Sequence, residues 1–421
     1  MSLIAYIVFF IFALQSVRGS KVVTCQGICE KFCPSTELEC AQLCRSACLE
    51  TNKHANSEFE LQYRFSLPAG ENITGSDGLR KYSHSTFFFT TLEGSVYRYN
   101  TSSTSLVKIH HMPVQQLLRG EGKGLYDIAL GRDFRTTRFV YLYYAAPCFN
   151  STAAHCNVLS QYRYESESLV YVQDAAVFPQ TSSRRSGGWA KMDARSYNYA
   201  TMKVSIGGNE NTDANVLQTR PELSSIFSFI PAKQDSDRES SSYEYLWHNE
   251  PWATGVGNPI SCTRSLLSQR RMYCISARAD GTHDVLKISG NRHYSNMSDC
   301  EEQTCSDSYK AGHAPMLSYQ GNCAPSSITL YTGNTLRKKN RLLVSLPACY
   351  DGTSLRRASV AEVSFNHKAD AWQLSPLRVN APNLMFSEFV LFGADLHDKL
   401  YAGAFSLIDN EYQVFEFTKR N

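Results

Sequence analysis

The chain has 421 residues, of which 43% are hydrophobic, and a formal net charge of +3. So even a balance excludes a general nucleic-acid surface, which needs a strong basic excess. The length also exceeds one ordinary core, which implies either several domains or one repetitive architecture.

The opening residues, MSLIAYIVFFIFALQSVRGS, have an apolar core from Leu3 to Leu14, with Val17 and Gly19 at the positions a signal peptidase reads. This predicts a signal peptide over residues 1–19 and a product that is secreted or held at the extracellular surface. A retained anchor is the alternative, because no Lys or Arg precedes the apolar core. No later run approaches the ~20 apolar residues of a membrane span, so none is expected in the mature chain. Acceptor triplets at Asn72, Asn100, Asn150 and Asn296 agree with the secretory route and predict a glycosylated surface.

Residues 25–48 read CQGICEKFCPSTELECAQLCRSAC. Cys25, Cys29 and Cys33 fall on one helical stripe and Cys40, Cys44 and Cys48 on a second. Pro34 breaks the first helix, and Thr36 with Glu39 forms a capping box for the next. Two antiparallel helices in nested register predict bridges Cys33 to Cys40, Cys29 to Cys44 and Cys25 to Cys48. In an oxidising compartment such thiols pair rather than bind zinc, so residues 20–52 read as a disulfide-stapled α-helical hairpin. The hairpin is expected to cap the following domain; the other reading is a protease inhibitor with Lys31 or Arg45 as its reactive residue.

From residue 56 to 421 the pattern changes to short runs rich in Val, Ile, Tyr, Phe and Thr, separated by Gly, Asn, Asp and Ser. STFFFTTLEGSVYRYN, FVYLYYAAP, ATMKVSIGG, SSIFSFIPA, RMYCISA, DVLKISG, SSITLYTG, RLLVSLPA, AEVSF, KLYAGAF and YQVFEF are each of strand length or hairpins of two. Long helical periodicity is nearly absent; VQQLL and VLQTRPELSS offer a turn or two. The pattern predicts an all-β domain of hairpins, either two sandwiches or one propeller. Cys148 with Cys156, Cys262 with Cys274, Cys300 with Cys305 and Cys323 with Cys349 are the expected bridges within it.

Several motifs choose between the two. RGEGKGLYDIALGRDFRTTRFVYLYY, residues 119–144, resembles the second-blade signature of the soluble glucose/sorbosone dehydrogenase family, through Gly124, Leu125, Asp133, Phe134, Val140, Tyr141 and Tyr144. SGGWAKMDARSYNYATMKVSIGGN resembles the family's Gly-Gly motif and the strand after it, and ATGVGNPISC its Gly-Leu-Arg-Asn-Pro segment. CAPSSITLYTGNTLRKKNRLLVSL and the closing hairpin DLHDKLYAGAFSLIDNEYQVFEF keep the same order. The family, which includes the hedgehog-interacting-protein-like proteins, implies a six-bladed β-propeller over residues 56–421.

The resemblance further implies a pyrroloquinoline quinone (PQQ) cofactor lying over a calcium ion, with a histidine as base two residues before the Gly-Gly motif. Here SSRRSGGW puts Arg185 in that place, and a guanidinium stays protonated at physiological pH. The family's Gln or Glu before the second-blade glycine maps to Gly122, or to Glu121 on a shift of one. Its cofactor-binding arginine maps to Gly257, leaving Asn258 and Pro259. Its calcium loop maps to SARADGTHD, where Arg278 opposes a divalent cation, and its last-blade arginines map near Glu388 and Phe389.

These departures predict a propeller without cofactor or metal that works as an extracellular binding protein, a pseudoenzyme whose partner is an extracellular protein or glycan. The alternative is a PQQ- and calcium-dependent sugar or alcohol dehydrogenase with non-standard residues. Arg184, Arg185, Asn258, Asp280 and Asp284 are the candidate ligand-binding residues. Arg184 and Arg185 suit a solvated loop better than an anion-binding pair, and Asp280, His283 and Asp284 suit a self-bonded turn better than a ligand set. His110 and His111 read as a surface pair, and RKKNR, residues 337–341, as a soluble hairpin tip. No hydrolase, zinc-protease or phosphate-binding motif occurs in the sequence.

Overall fold

The computed structural model describes residues 59–78, 86–131, 134–148, 153–180, 187–193, 201–207, 225–231, 247–254, 256–264, 271–277, 281–289, 292–293, 315–319, 323–331, 341–350, 355–356, 358–377, 379–380, 386–394, 399–406 and 411–419. The expected signal peptide and cysteine-rich hairpin lie outside them.

The strongest run in the sequence shows why strands form. Phe139–Ala146, FVYLYYAA, is β-branched and aromatic, and every one of its side chains is buried. A strand covered on both faces needs no alternation of apolar and polar residues. Its partners within the sheet are Leu125–Leu130 on one side and His155–Glu165 on the other, with Ser168–Gln180 outermost. We number this sheet blade II.

Five more sheets repeat the plan. Blade I comprises Ile73–Gly78, Thr86–Thr91, Ser95–Asn100 and Ser105–His111. Blade III comprises Ala190–Asp193, Thr201–Ile206, Ser225–Pro231 and Trp247–Thr254; blade IV, Asn258–Arg264, Arg271–Ala277, His283–Ser289 and Leu317–Tyr319. Blade V comprises Ser327–Tyr331, Arg341–Leu346, Ser359–Asn366 and Ala371–Pro376. Blade VI joins Phe386–Ala394, Leu400–Ser406 and Glu411–Lys419 to Phe59–Ser66 from the front of the chain, pairing Phe59 with Lys419 and Ser66 with Gln413. That antiparallel closure ties the two ends of the described chain together and completes a six-bladed β-propeller.

The core lies in the seams between blades. Phe178, Met202, Val204 and Phe229 pack in the cluster shared by blades II and III, and Ile275, Val285, Val344 and Val363 in the one shared by IV and V. Polar side chains of the inner strands stitch the same seams. Asp77 accepts from the main-chain N–H of Leu130 at 3.0 Å, Asp127 from Ala190 at 3.0 Å, Thr263 from Leu330 at 3.0 Å and Ser327 from Leu391 at 2.9 Å. Each bond satisfies a donor on the next blade's innermost strand, which would otherwise be costly to bury.

Three expected disulfides are present: Cys148–Cys156, Cys262–Cys274 and Cys323–Cys349. Cys300, Cys305 and the six cysteines of the N-terminal segment lie outside the described residues. Two details depart from expectation. Ser168–Gln180, at 13 residues, was hidden because most of its side chains are half-buried or exposed and it lacks a clean alternation. The motif FRTT forms a single helical turn, Phe134–Thr137, between two strands of a chain in which only VQQLL and VLQTRPELSS offered helical periodicity.

Candidate ligand-binding mouth

In each blade the strands run antiparallel, so the start of the inner strand, the turn between the second and third strands and the end of the outer strand share one face. That face gathers the 92–94, 118–124, 147–154, 187–189, 256–257, 281–282 and 323–326 segments. Of the site positions implied by the sequence, the described ones Glu121, Gly122, Gly257, Asn258, Asp284 and Phe389 lie on it or at the strand ends beside it. Bridges Cys148–Cys156 and Cys323–Cys349 brace two of its loops.

At blade II, Lys123 N–H donates to Gly120 O at 2.9 Å and closes a tight turn. The two central residues, Glu121 (φ 51°) and Gly122 (φ 76°), are both left-handed, as a primed turn requires. The Glu121 side chain is 59% exposed at the tip, 3.3 Å from Lys123 Nζ. Gly124, next in the motif, sits where an added Cβ would lie 2.1 Å from the carbonyl oxygen of Leu92, so only glycine lets blades I and II approach there.

Arg184 and Arg185 lie outside the described residues, which resume at Gly187. The Gly187 N–H donates to Asn258 Oδ1 at 2.6 Å, so the structure brings the Gly-Gly motif and the start of blade IV together. Asn258 is thereby a brace between loops. Ser205 joins the same junction, accepting from Trp189 N–H and donating to Pro259 O, both at 3.0 Å.

Gly257 stands where the resemblance places a cofactor-binding arginine. Its φ is +78°, and a Cβ there would lie 2.7 Å from Ser276 Oγ. Ser276 Oγ is itself held by donating to Val256 O at 2.8 Å. A side chain at 257 therefore meets both backbone strain and a fixed neighbour.

Arg278 and Asp280 lie outside the described residues. Asp284 is 2% exposed and accepts from Ser318 Oγ at 2.6 Å, within strand His283–Ser289. This corrects the expectation of a turn closed on itself: Asp284 bonds across to the outer strand of its own blade. The buried His283 Nδ1 has no hydrogen-bond partner among the described residues, and burial pushes its pKa down against the opposing charge of Asp284. Phe389 is buried, and its carbonyl accepts from Ser326 Oγ at 3.1 Å; the Glu388 side chain lies outside the described residues. Among the described residues, no group of three His, Cys, Asp or Glu is placed to hold a metal ion.

Two polar clusters escaped the sequence reading. Asp127 is 3% exposed and forms an ion pair with Lys191, whose Nζ also donates to Ile128 O at 2.7 Å. Burial pushes the Asp127 carboxyl up, opposed by Lys191 and by the N–H groups of Ala190 and Ile128. A lone carboxylate inside the apolar strand LYDIAL was the signal for it. Glu71 lies on the rim of blade I, where its carboxylate accepts from Thr91 Oγ1, Ser95 Oγ, Tyr97 OH and Lys108 Nζ at 2.5 to 3.1 Å. Burial alone would raise its pKa, but the bonds from Lys108, Thr91 and Ser95 outweigh that and hold it below the ordinary value.

His110 and His111 divide as alternation along a strand requires. His111 is exposed, and its Nδ1 lies 3.0 Å from Ser95 Oγ. Ser95 gives its only hydrogen to Glu71, so His111 Nδ1 is the donor in that contact. His110 corrects the reading of a surface pair: it packs edge-on against Tyr162 at 5.2 Å, with Nε2 buried and without a hydrogen-bond partner among the described residues.

No protein-family model and no curated protein matches the chain. Solved structures do. The PQQ-bound aldose sugar dehydrogenase of Streptomyces coelicolor superposes with a TM-score of 0.58 at 14% identity, covering 86% of this chain and 99% of that one. The soluble aldose sugar dehydrogenase of Escherichia coli, in its apo form, gives 0.58 at 14% identity, over 86% of this chain and 98% of that one. The chain thus has the six-bladed propeller fold of these soluble sugar dehydrogenases.

Proposed function

We propose that this chain is a secreted, glycosylated propeller that works as an extracellular binding protein on a scaffold that has lost quinone-dehydrogenase chemistry. The observation that carries the reading is Gly257: its left-handed backbone and the closeness of Ser276 make a cofactor-holding arginine there strained and crowded. Asn258 and Asp284, the other described candidates, are engaged in bonds within the protein. With Arg185 in place of the base, the residues present do not fit PQQ and calcium. What supports a binding role is a face of loops braced by disulfides on a rigid scaffold, the usual setting for recognition. The partner chemistry expected is an extracellular protein or glycan, met by the charged side chains of Arg184, Arg185 and Asp280. The signal segment, the acceptor asparagines and the fully paired described cysteines favour the secretory route. Among the described residues, no helix is long and apolar enough to cross a membrane.

The test is to titrate the purified full chain with PQQ and calcium and to follow both cofactor absorbance and aldose-dependent dye reduction. Neither signal is expected; robust turnover overturns the proposal. A pull-down from extracellular material should retain a partner, and a R184A/R185A variant should retain less of it. The second reading, a PQQ-dependent sugar or alcohol dehydrogenase, is favoured by the near-complete coverage of the aldose sugar dehydrogenases by this fold.

A further inference from the structure

Two acceptor asparagines are described, and the fold places them at opposite ends of blade I. Asn72 immediately precedes Ile73, which pairs with Thr91, so it lies on the mouth face beside the 92–94 turn. Asn100 ends the third strand of the blade, where it pairs with Thr86 and Ser105, and therefore lies on the opposite face.

Their hydrogen bonding differs as much as their position. At Asn72, the main-chain N–H donates to Glu93 Oε2 at 2.8 Å and the side-chain Nδ2 to Glu93 Oε1 at 2.9 Å. Arg119 Nη2 holds Glu93 in turn through its carbonyl at 2.7 Å. The hydroxyl of Thr74, third residue of that triplet, donates to Leu125 O at 2.7 Å in the seam with blade II. A glycan on Asn72 replaces one of the two hydrogens on a nitrogen that lies against the Glu93 carboxylate.

At Asn100 the amide is turned the other way. Its Oδ1 accepts from the N–H groups of Ser102 at 2.9 Å and Ser103 at 3.2 Å, which closes an Asx turn. With the oxygen bound to the turn, the planar amide directs Nδ2 away from it. No bond from Nδ2 is present among the described residues, and Ser102, Ser103 and Thr104 beside it are exposed.

We infer that Asn100 carries an N-linked glycan and that Asn72 does not, so that the sugar on blade I projects from the face opposite the mouth and leaves the mouth open. The inference rests on the secretory reading above. Its physical content is that the folded protein accommodates a bulky polar substituent at a nitrogen turned away from its own turn, with no bond among the described residues, more readily than at one held against the Glu93 carboxylate.

The test is expression of the full chain in a secreting eukaryotic host, followed by peptide mass mapping with and without enzymatic release of N-glycans, which converts each occupied asparagine to aspartate. Near-complete occupancy at Asn100 with little or none at Asn72 is expected, and N100Q and S102A should each lose one glycan while N72Q loses none. Mapping of the unmutated chain decides the matter even where a variant folds poorly. Occupancy at Asn72 with Asn100 bare overturns the inference. Glycans confined to Asn150 or Asn296 overturn it while leaving the secretory reading intact. A chain retained without a glycan at any triplet overturns both.

Discussion

The II–III and IV–V seams meet the same need by different chemistry. Each must satisfy main-chain donors on the next innermost strand, about one blade further along the chain. At IV–V the acceptors are hydroxyls, Ser261 to Ile328 at 3.3 Å and Thr263 to Leu330 at 3.0 Å. At II–III the acceptor is the carboxylate of Asp127, which then needs Lys191 as a counter-charge in a buried place. A hydroxyl satisfies one donor and asks little in return. A buried carboxylate satisfies more, accepting from both Ile128 and Ala190, but makes the seam depend on a second residue from the neighbouring blade.

The sharpest way to break this contrast is K191M. It strands Asp127 in a buried site, and chemical denaturation should report a loss of about 3–5 kcal/mol. The double variant D127N/K191M should recover a large part, because the amide still accepts from Ala190 and carries no charge. Should K191M cost no more than a hydroxyl deletion, the two seams are equivalent after all.

Next in size is G257A at the III–IV junction. The left-handed backbone and the nearby Ser276 hydroxyl predict a loss of about 1–3 kcal/mol on the same assay. The companion G257R is expected to be no more stable than G257A and to gain no PQQ binding. Cofactor binding by G257R with stability intact would mean that the mouth retains room for the arginine.

Hydroxyl deletion should come third. T263A removes the acceptor of Leu330 N–H and is expected to cost about 1–2 kcal/mol, without dependence on any charged partner. A cycle with K191M should be additive, since the two sites share no residue.

The smallest effect at neutral pH is at Glu71, and it appears with acid. Its folded pKa lies below the ordinary value of 4.5, so the stability it supplies is present above that value and is lost as pH falls through the folded pKa. Unfolding measured from pH 6 downward should show a decline beginning near 4.5 that E71Q flattens. An unchanged profile in E71Q would place the acid sensitivity elsewhere.

The strand-forming runs were open to inspection because their cause is local. FVYLYYAA and RLLVSL occupy strands Phe139–Ala146 and Arg341–Leu346, where blades cover both faces. The three described bridges were readable for a similar reason, since each joins cysteines within one hairpin or loop region. The outer strand Ser168–Gln180 was not, because a half-covered strand broken by bulges carries no regular apolar period. At the mouth, the sequence placed Gly257 and Asn258 at the site but not what they do there. Asn258 looked like a ligand contact and is bonded to Gly187, 71 residues earlier in the chain.

The sequence by itself therefore determined the all-β class, the strand runs and the three described cysteine pairs. These depend on side-chain chemistry over a few neighbouring positions. The tertiary structure alone decided that Asp127 pairs with Lys191, that a side chain at Gly257 would meet a left-handed backbone and the Ser276 hydroxyl, and that the Asn72 amide nitrogen is bonded to Glu93 while that of Asn100 has no bond among the described residues. Ring closure sets residues from different turns and blades against one another at hydrogen-bond distance, and that juxtaposition has no counterpart in the local order of the chain.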